Sequence, residues 1–146
     1  MTSAHERDRD PLGRRIRARI GRRGASLAFF ALVDLAYASV MAWAPPEVTP
    51  GSSAAVLARL MPLAAWAIPW AAVGLLCAAH VCAARDLVAF GAASALCAGW
   101  SVIHLAGWAF GVIDRGFVTA VVWGGFGAFI QVIAGWGEPA RPDRGA

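Results

Sequence analysis

Four apolar stretches, roughly residues 24–44, 62–84, 87–113 and 117–136, occupy most of this 146-residue chain, and together they hold one formal charge, Asp34. An α-helix rises about 1.5 Å per residue and the hydrocarbon core of a bilayer is about 30 Å thick, so about 20 apolar residues are enough to cross it. Each stretch is that long or longer. A soluble domain of this length has too little interior to hide four such segments. The pattern predicts an all-α fold, an integral membrane four-helix bundle.

The charges that remain are placed unevenly. There is no lysine, and eight of the thirteen arginines (Arg7, Arg9, Arg14, Arg15, Arg17, Arg19, Arg22 and Arg23) precede the first stretch. Counted loop by loop, an inside N-terminus puts Arg85, Arg141 and Arg144 on the same side as that tail and leaves only Arg59 and Arg115 outside. The positive-inside rule therefore predicts both termini in the cytoplasm of a bacterial cell, with the spans in its inner membrane. A basic tail alone would suit nucleic acid, but directly before a membrane helix topology is the simpler cause, and no nucleic-acid partner is expected. Arg14, Arg15, Arg17, Arg19, Arg22 and Arg23 interleave with Leu12, Ile16 and Ile20 at helical spacing. That segment either lies on the anionic inner leaflet or is an unstructured topogenic tail.

The organisation expected is a basic tail over 1–23, a membrane domain over 24–137 and a short polar tail over 138–146. Ala42-Trp43-Ala44 has the small-x-small form of a signal cleavage site. Asp34, the length of the apolar run and Pro45 after the cut all argue against cleavage. Pro45-Pro46 ends the first span. The outer loop contains Ala54–Met61, which reads as a short interfacial helix, and Pro62 suits the first turn of the second span. Trp66 and Trp70 fit the outer interface, and Pro69 is expected to kink that span. Arg85-Asp86 and Asp114-Arg115-Gly116 are tight turns, so the last three spans are antiparallel neighbours.

Lipid gives helices no hydrophobic drive to associate, so small residues mark their contacts. The third span carries Gly91, Ala95 and Gly99 on one side and Gly107-x-x-x-Gly111 on another; the fourth carries Ala120, Gly124 and Ala128. These suit packing within the bundle or a seam between copies. Cys77-x-x-His80-x-Cys82 invites a metal reading, but Cys82 leaves the helical face of the other two, and no metal or cofactor is expected.

Asp34 is the intramembrane residue to single out. A carboxylate at mid-span is costly and should face the bundle with a partner. Tyr37 follows one turn later, and Ala31 and Ala38 flank the same face, leaving room for a neighbouring helix. His104, Ser101, Trp100 and His80 are the candidate partners. A structural clamp, a proton relay and a pore-lining acid are all open. His104 lies between Trp100 and Trp108, a stripe that suits a packed face or, less often, a quinone or haem ligand. Gln131 suits a helix–helix hydrogen bond. No nucleophile triad, carboxylate pair or phosphate loop is present, so an enzyme is not expected.

Several strings occur together: Asp34-Leu35-Ala36-Tyr37 then Pro45-Pro46, Trp66-x-x-x-Trp70-x-x-x-Gly74, Arg85-Asp86-x-Val88-Ala89-Phe90, Arg115-Gly116-x-Val118-x-Ala120-x-x-Trp123 and Ile133-Ala134-Gly135-Trp136-Gly137-Glu138-Pro139. Over roughly residues 27–139 the chain resembles the small four-helix membrane proteins of actinobacterial phages and prophages that are described as holin-like. The resemblance implies a protein that assembles in the membrane with further copies of itself and permeabilises or depolarises it during lysis. Its other partners would be the bilayer and a phage lysis protein or another membrane protein. Few polar groups line the spans, which suits a small depolarising path better than a wide lesion. The competing expectation is a non-pore accessory protein that anchors or regulates a partner through the basic tail.

Overall fold

The computed structural model describes residues 21–43, 52–83 and 86–136. Arg14, Arg15, Arg17 and Arg19, the Pro45-Pro46 break, Arg85 and the C-terminal tail lie outside the described residues. Five helices are described: α1 (Arg22–Ala42), α2 (Ser53–Leu60), α3 (Leu63–His80), α4 (Leu87–Ala109) and α5 (Gly116–Ala134). All but α2 are long and apolar enough to cross a bilayer. The chain is an all-α, multi-span integral membrane protein.

The short helix expected over Ala54–Met61 forms as Ser53–Leu60. Ser52 caps α2, its Oγ accepting from the Ala55 N–H at 3.2 Å. Leu57 is fully buried, and the Trp66 indole N–H donates to the Leu57 carbonyl at 3.2 Å. α2 is thereby seated against α3 and α4. α3 continues through Pro69.

The third span ends earlier than its apolar run. α4 stops at Ala109, and Gly111 takes a left-handed φ of 67°. Val112 and Ile113 N–H groups then fold back onto the Gly107 carbonyl at 2.8 and 3.0 Å. This is the chain reversal that glycine permits at a helix end. Gly107 and Gly111 therefore do not form one helical ridge; the Ile113 side chain covers Gly107, and Gly111 lies exposed in the turn. Arg115, at φ 55°, completes the turn in the same left-handed region.

α1 packs closely on α3, α4 packs closely on α5, and a smaller α3–α4 contact joins the pairs. At Gly74 the backbone of α3 lies against α1, where an added Cβ would stand 3.1 Å from the Asp34 Cβ and 2.9 Å from the Leu35 Cγ. In the second pair, Ser94 Oγ donates to the Gly127 carbonyl at 3.1 Å and Ser101 Oγ donates to the Ala120 carbonyl at 2.7 Å. Buried Ala120 and Gly127, with Gly124 over Ser101, let α4 and α5 approach this closely. The expected ridge holds at Ala120 and Gly124 but not at Ala128, which is exposed; Gly127 takes the inner position instead.

Gly91, Ala95 and Gly99 do not pack within the bundle. All three are exposed, and a Cβ added at Gly91 or Gly99 would meet nothing within 4 Å. α4 turns its Phe90-Ala93-Cys97-Trp100-His104 side inward, and the glycine stripe falls on the other side. The outer surface of the long helices is mostly apolar, with Leu32 at 67%, Ile68 at 68% and Val121 at 71% exposed. Such a surface suits lipid and would be a liability in water.

Candidate functional site

The interior is layered. One buried cluster gathers Leu27, Phe30 and Ala31 of α1 with Cys77, Phe90, Cys97 and Ile130. A second gathers Ala38, Met41, Leu57, Ala67, Trp70 and Trp100. Asp34 lies on α1 between these two sets, with only 3% of its surface exposed. It faces the bundle because its face of α1 (Phe30, Ala31, Asp34, Ala38) is the one that α3 and α4 cover.

Three of its four expected hydrogen-bond partners are otherwise engaged. The Ser101 hydroxyl is given to Ala120, and His80 Nδ1 bonds the Leu76 carbonyl at 2.9 Å. His104 Nδ1 bonds the Trp100 carbonyl at 2.9 Å, and because a carbonyl only accepts, that nitrogen carries the hydrogen. Among the described residues the Trp100 indole N–H has no acceptor, nor does that of Trp70, and Asp34 Oδ2 has no donor. Asp34 is thus a buried carboxyl group with one oxygen unmet among the described residues. An orphaned buried acceptor is costly, and such groups concentrate at functional positions.

Beside the acid is a continuous aromatic layer. The Tyr37 ring centroid lies 4.4 Å from that of Trp70, 5.9 Å from Trp100 and 5.4 Å from Trp123. Trp66 meets Trp100 at 5.6 Å, and His104 stacks on Trp100 at the same distance. The sequence reading separated these residues into interfacial tryptophans and a histidine stripe. The fold brings Tyr37, Trp66, Trp70, Trp100, His104 and Trp123 together and leaves Trp108 on the surface against Phe117. Gln131 is exposed on α5, one position from the inward Ile130, and makes no bond across the bundle among the described residues. Among the described residues no group of three His, Cys, Asp or Glu side chains is arranged to hold a metal ion.

At the end of the bundle where α1 begins, Arg23 closes the structure. Its Nη2 donates to Asp86 Oδ1 at 2.7 Å, its Nη1 reaches the Trp136 carbonyl at 3.5 Å, and its guanidinium lies 5.3 Å from the Phe90 ring centre. One side chain thus ties the start of α1 to the start of α4 and the end of α5. Neither residue's role follows from charge counting, which reads Arg23 as a topology signal and Asp86 as a turn. The pair is 16% and 12% exposed, so its charge-assisted bond is worth about 1.5–3 kcal/mol. We expect Asp86→Ala to lower the unfolding midpoint of the purified protein in mixed micelles, and Arg23→Ala to add little on top of it. Additive losses from the two changes would contradict a shared interaction.

No family profile, curated protein or solved structure matches the chain.

Proposed function

We propose that the chain is a holin-like membrane protein, with both termini in the bacterial cytoplasm, that assembles with further copies of itself and depolarises the membrane. The observation that supports this reading most is the open stripe of Gly91, Ala95 and Gly99. These small residues are left uncovered by their own bundle, on a face where a second helix backbone could come close. The polar side chains support a narrow path rather than a wide one. Ser94 and Ser101 are spent between α4 and α5, and Ser26 and Ser39 bond their own helix backbone. Among the described residues no broad hydrophilic face is therefore available to line a large lesion.

Induced expression in a bacterial host with a potential-sensitive dye tests the reading. The wild-type chain is expected to collapse the potential after a delay set by its accumulation. Gly91→Leu and Gly99→Leu should insert and fold, because nothing within the bundle opposes them, yet lengthen the delay. If fully inserted wild-type protein leaves potential and growth untouched, the depolarising function is wrong. The second reading, an accessory protein without a pore, is favoured by the aromatic layer, which fills the middle of the single bundle. That reading predicts no depolarisation at any expression level.

A further inference from the structure

Arg22 opens α1 at the head of a stripe that leads into an apolar groove. Positions four, seven and eleven residues along a helix return to one face. From Arg22 those positions are Ser26, Phe29 and Val33. Phe29 and Val33 form the α1 wall of a groove of about 510 Å³, whose α5 side includes Val122, Gly125, Phe126 and Phe129. Trp136, half exposed, lies seven residues beyond Phe129, and its carbonyl is 3.5 Å from Arg23 Nη1. Arg22 and Trp136 therefore stand at the same rim of the bundle. At about 1.5 Å per residue the groove begins about 10 Å from that rim, at Phe29 and Phe129, and ends about 20 Å from it, at Val122. A bilayer with its headgroup regions is about 40 Å thick, so one leaflet reaches about 20 Å. The groove thus lies at the depth of the acyl chains of a lipid whose headgroup is level with Arg22.

Shape and charge name the occupant. Close helix contacts in a membrane need small residues. Here the rings of Phe29 and Phe129 stand out from both walls, 54% and 52% exposed, and hold a further helix backbone away. A thin, flexible acyl chain passes between them, and Gly125 leaves it room, since a Cβ added there would meet nothing within 4 Å. At the rim the charges of Arg23 and Asp86 cancel across 2.7 Å. Exposed Arg22 therefore leaves the described rim with one positive charge. A cationic side chain at a membrane surface favours an anionic headgroup, and an interfacial tryptophan such as Trp136 sits at headgroup level.

We propose that the α1–α5 groove holds one acyl chain of an anionic phospholipid, whose headgroup is bound by Arg22 beside Trp136. The site lies within one copy of the chain and needs no depolarisation.

The test is photolabelling of the full-length protein in phosphatidylcholine nanodiscs that contain a small fraction of phosphatidylglycerol with a diazirine in one acyl chain, the labelled peptides being mapped by mass spectrometry. Labelling is expected to gather on residues 29–33 and 122–129 and to be competed by unlabelled phosphatidylglycerol. A phosphatidylcholine carrying the same diazirine chain should label the groove about fivefold less, and Arg22→Gln should remove that difference. Gly125→Leu, which fills the groove, should abolish the competable labelling. Gly99→Leu is the matched control, because a Cβ there also meets nothing within 4 Å but lies on α4 outside the groove; it should change nothing. Size-exclusion and circular-dichroism profiles establish that each variant is folded; if Gly125→Leu is not, exposed Arg22 decides. Labelling spread evenly over the four long helices, equal labelling of the wild type by the two lipids, or wild-type labelling of folded Gly125→Leu overturns the proposal. So does groove labelling that vanishes when the discs hold two copies instead of one, which would make a second copy the occupant. A chain that takes the lipid here yet never depolarises cells upholds this site and sinks the holin-like reading.

Discussion

Truncating Trp70 to alanine is expected to destabilise the bundle by about 3 kcal/mol, the largest loss from any single truncation in this interior. Trp70 is fully buried, and its ring touches Tyr37, Trp100 and Trp123, so it joins α3 to α1, α4 and α5. In a membrane the lost term is packing rather than water exclusion, because the unfolded helices still sit in lipid. What Trp70→Ala leaves is a void that a close-packed aromatic layer refills only in part. Trp70→Phe separates the ring from its polar atom. The Trp70 indole N–H has no acceptor among the described residues, so removing it forfeits no bond seen there, and the phenylalanine should cost about 1 kcal/mol through lost packing contacts alone. Unfolding in mixed detergent micelles, followed by circular dichroism, measures both. Equal losses for the two substitutions would mean that the indole N–H is in use.

The four spans were legible because length and apolarity are one-dimensional properties. A run of about 20 apolar residues can satisfy its backbone in a bilayer only as a helix. The apolar turns of Ala54–Met61 were enough to mark α2. The end of α4 was not legible, because Val112 and Ile113 are as apolar as the helix before them. Only the left-handed Gly111 shows that the chain has already turned. The helix faces were half legible. Spacing correctly grouped Gly91, Ala95 and Gly99, but a grouped stripe carries no label for what it meets, and the fold turned this one outward. A better signal lay in Ser94 and Ser101, seven residues apart on one side of α4, because hydroxyls in a membrane helix need acceptors. Asp34 was recognisable as buried, and its company was not. Its partner depends on the relative heights of three helices, which no single-sequence pattern records. Arg23 and Asp86 were overlooked for a similar reason: 63 residues separate them, and only assembly of the bundle makes them adjacent.

The same separation between grouped glycines and packed glycines yields the second large effect. Gly116→Ala should destabilise the protein by about 3 kcal/mol, at the upper end of what overpacking costs. An added Cβ there would stand 2.5 Å from the His104 carbonyl oxygen and 3.0 Å from the Trp108 Cβ. Neither contact is the free end of a flexible chain, so relief requires the backbones of α4 and α5 to part. The same two helices are held by the Ser94 and Ser101 bonds, which parting would stretch. Gly99→Ala is the matched control: same substitution, same class of helix, nothing within 4 Å. Helix propensity alone then acts, and the alanine should be neutral or stabilising by up to about 1 kcal/mol. Both variants are read by the same micelle unfolding curve. If Gly116→Ala and Gly99→Ala shift it alike, the close approach of α4 and α5 at their shared turn is not where the bundle is held.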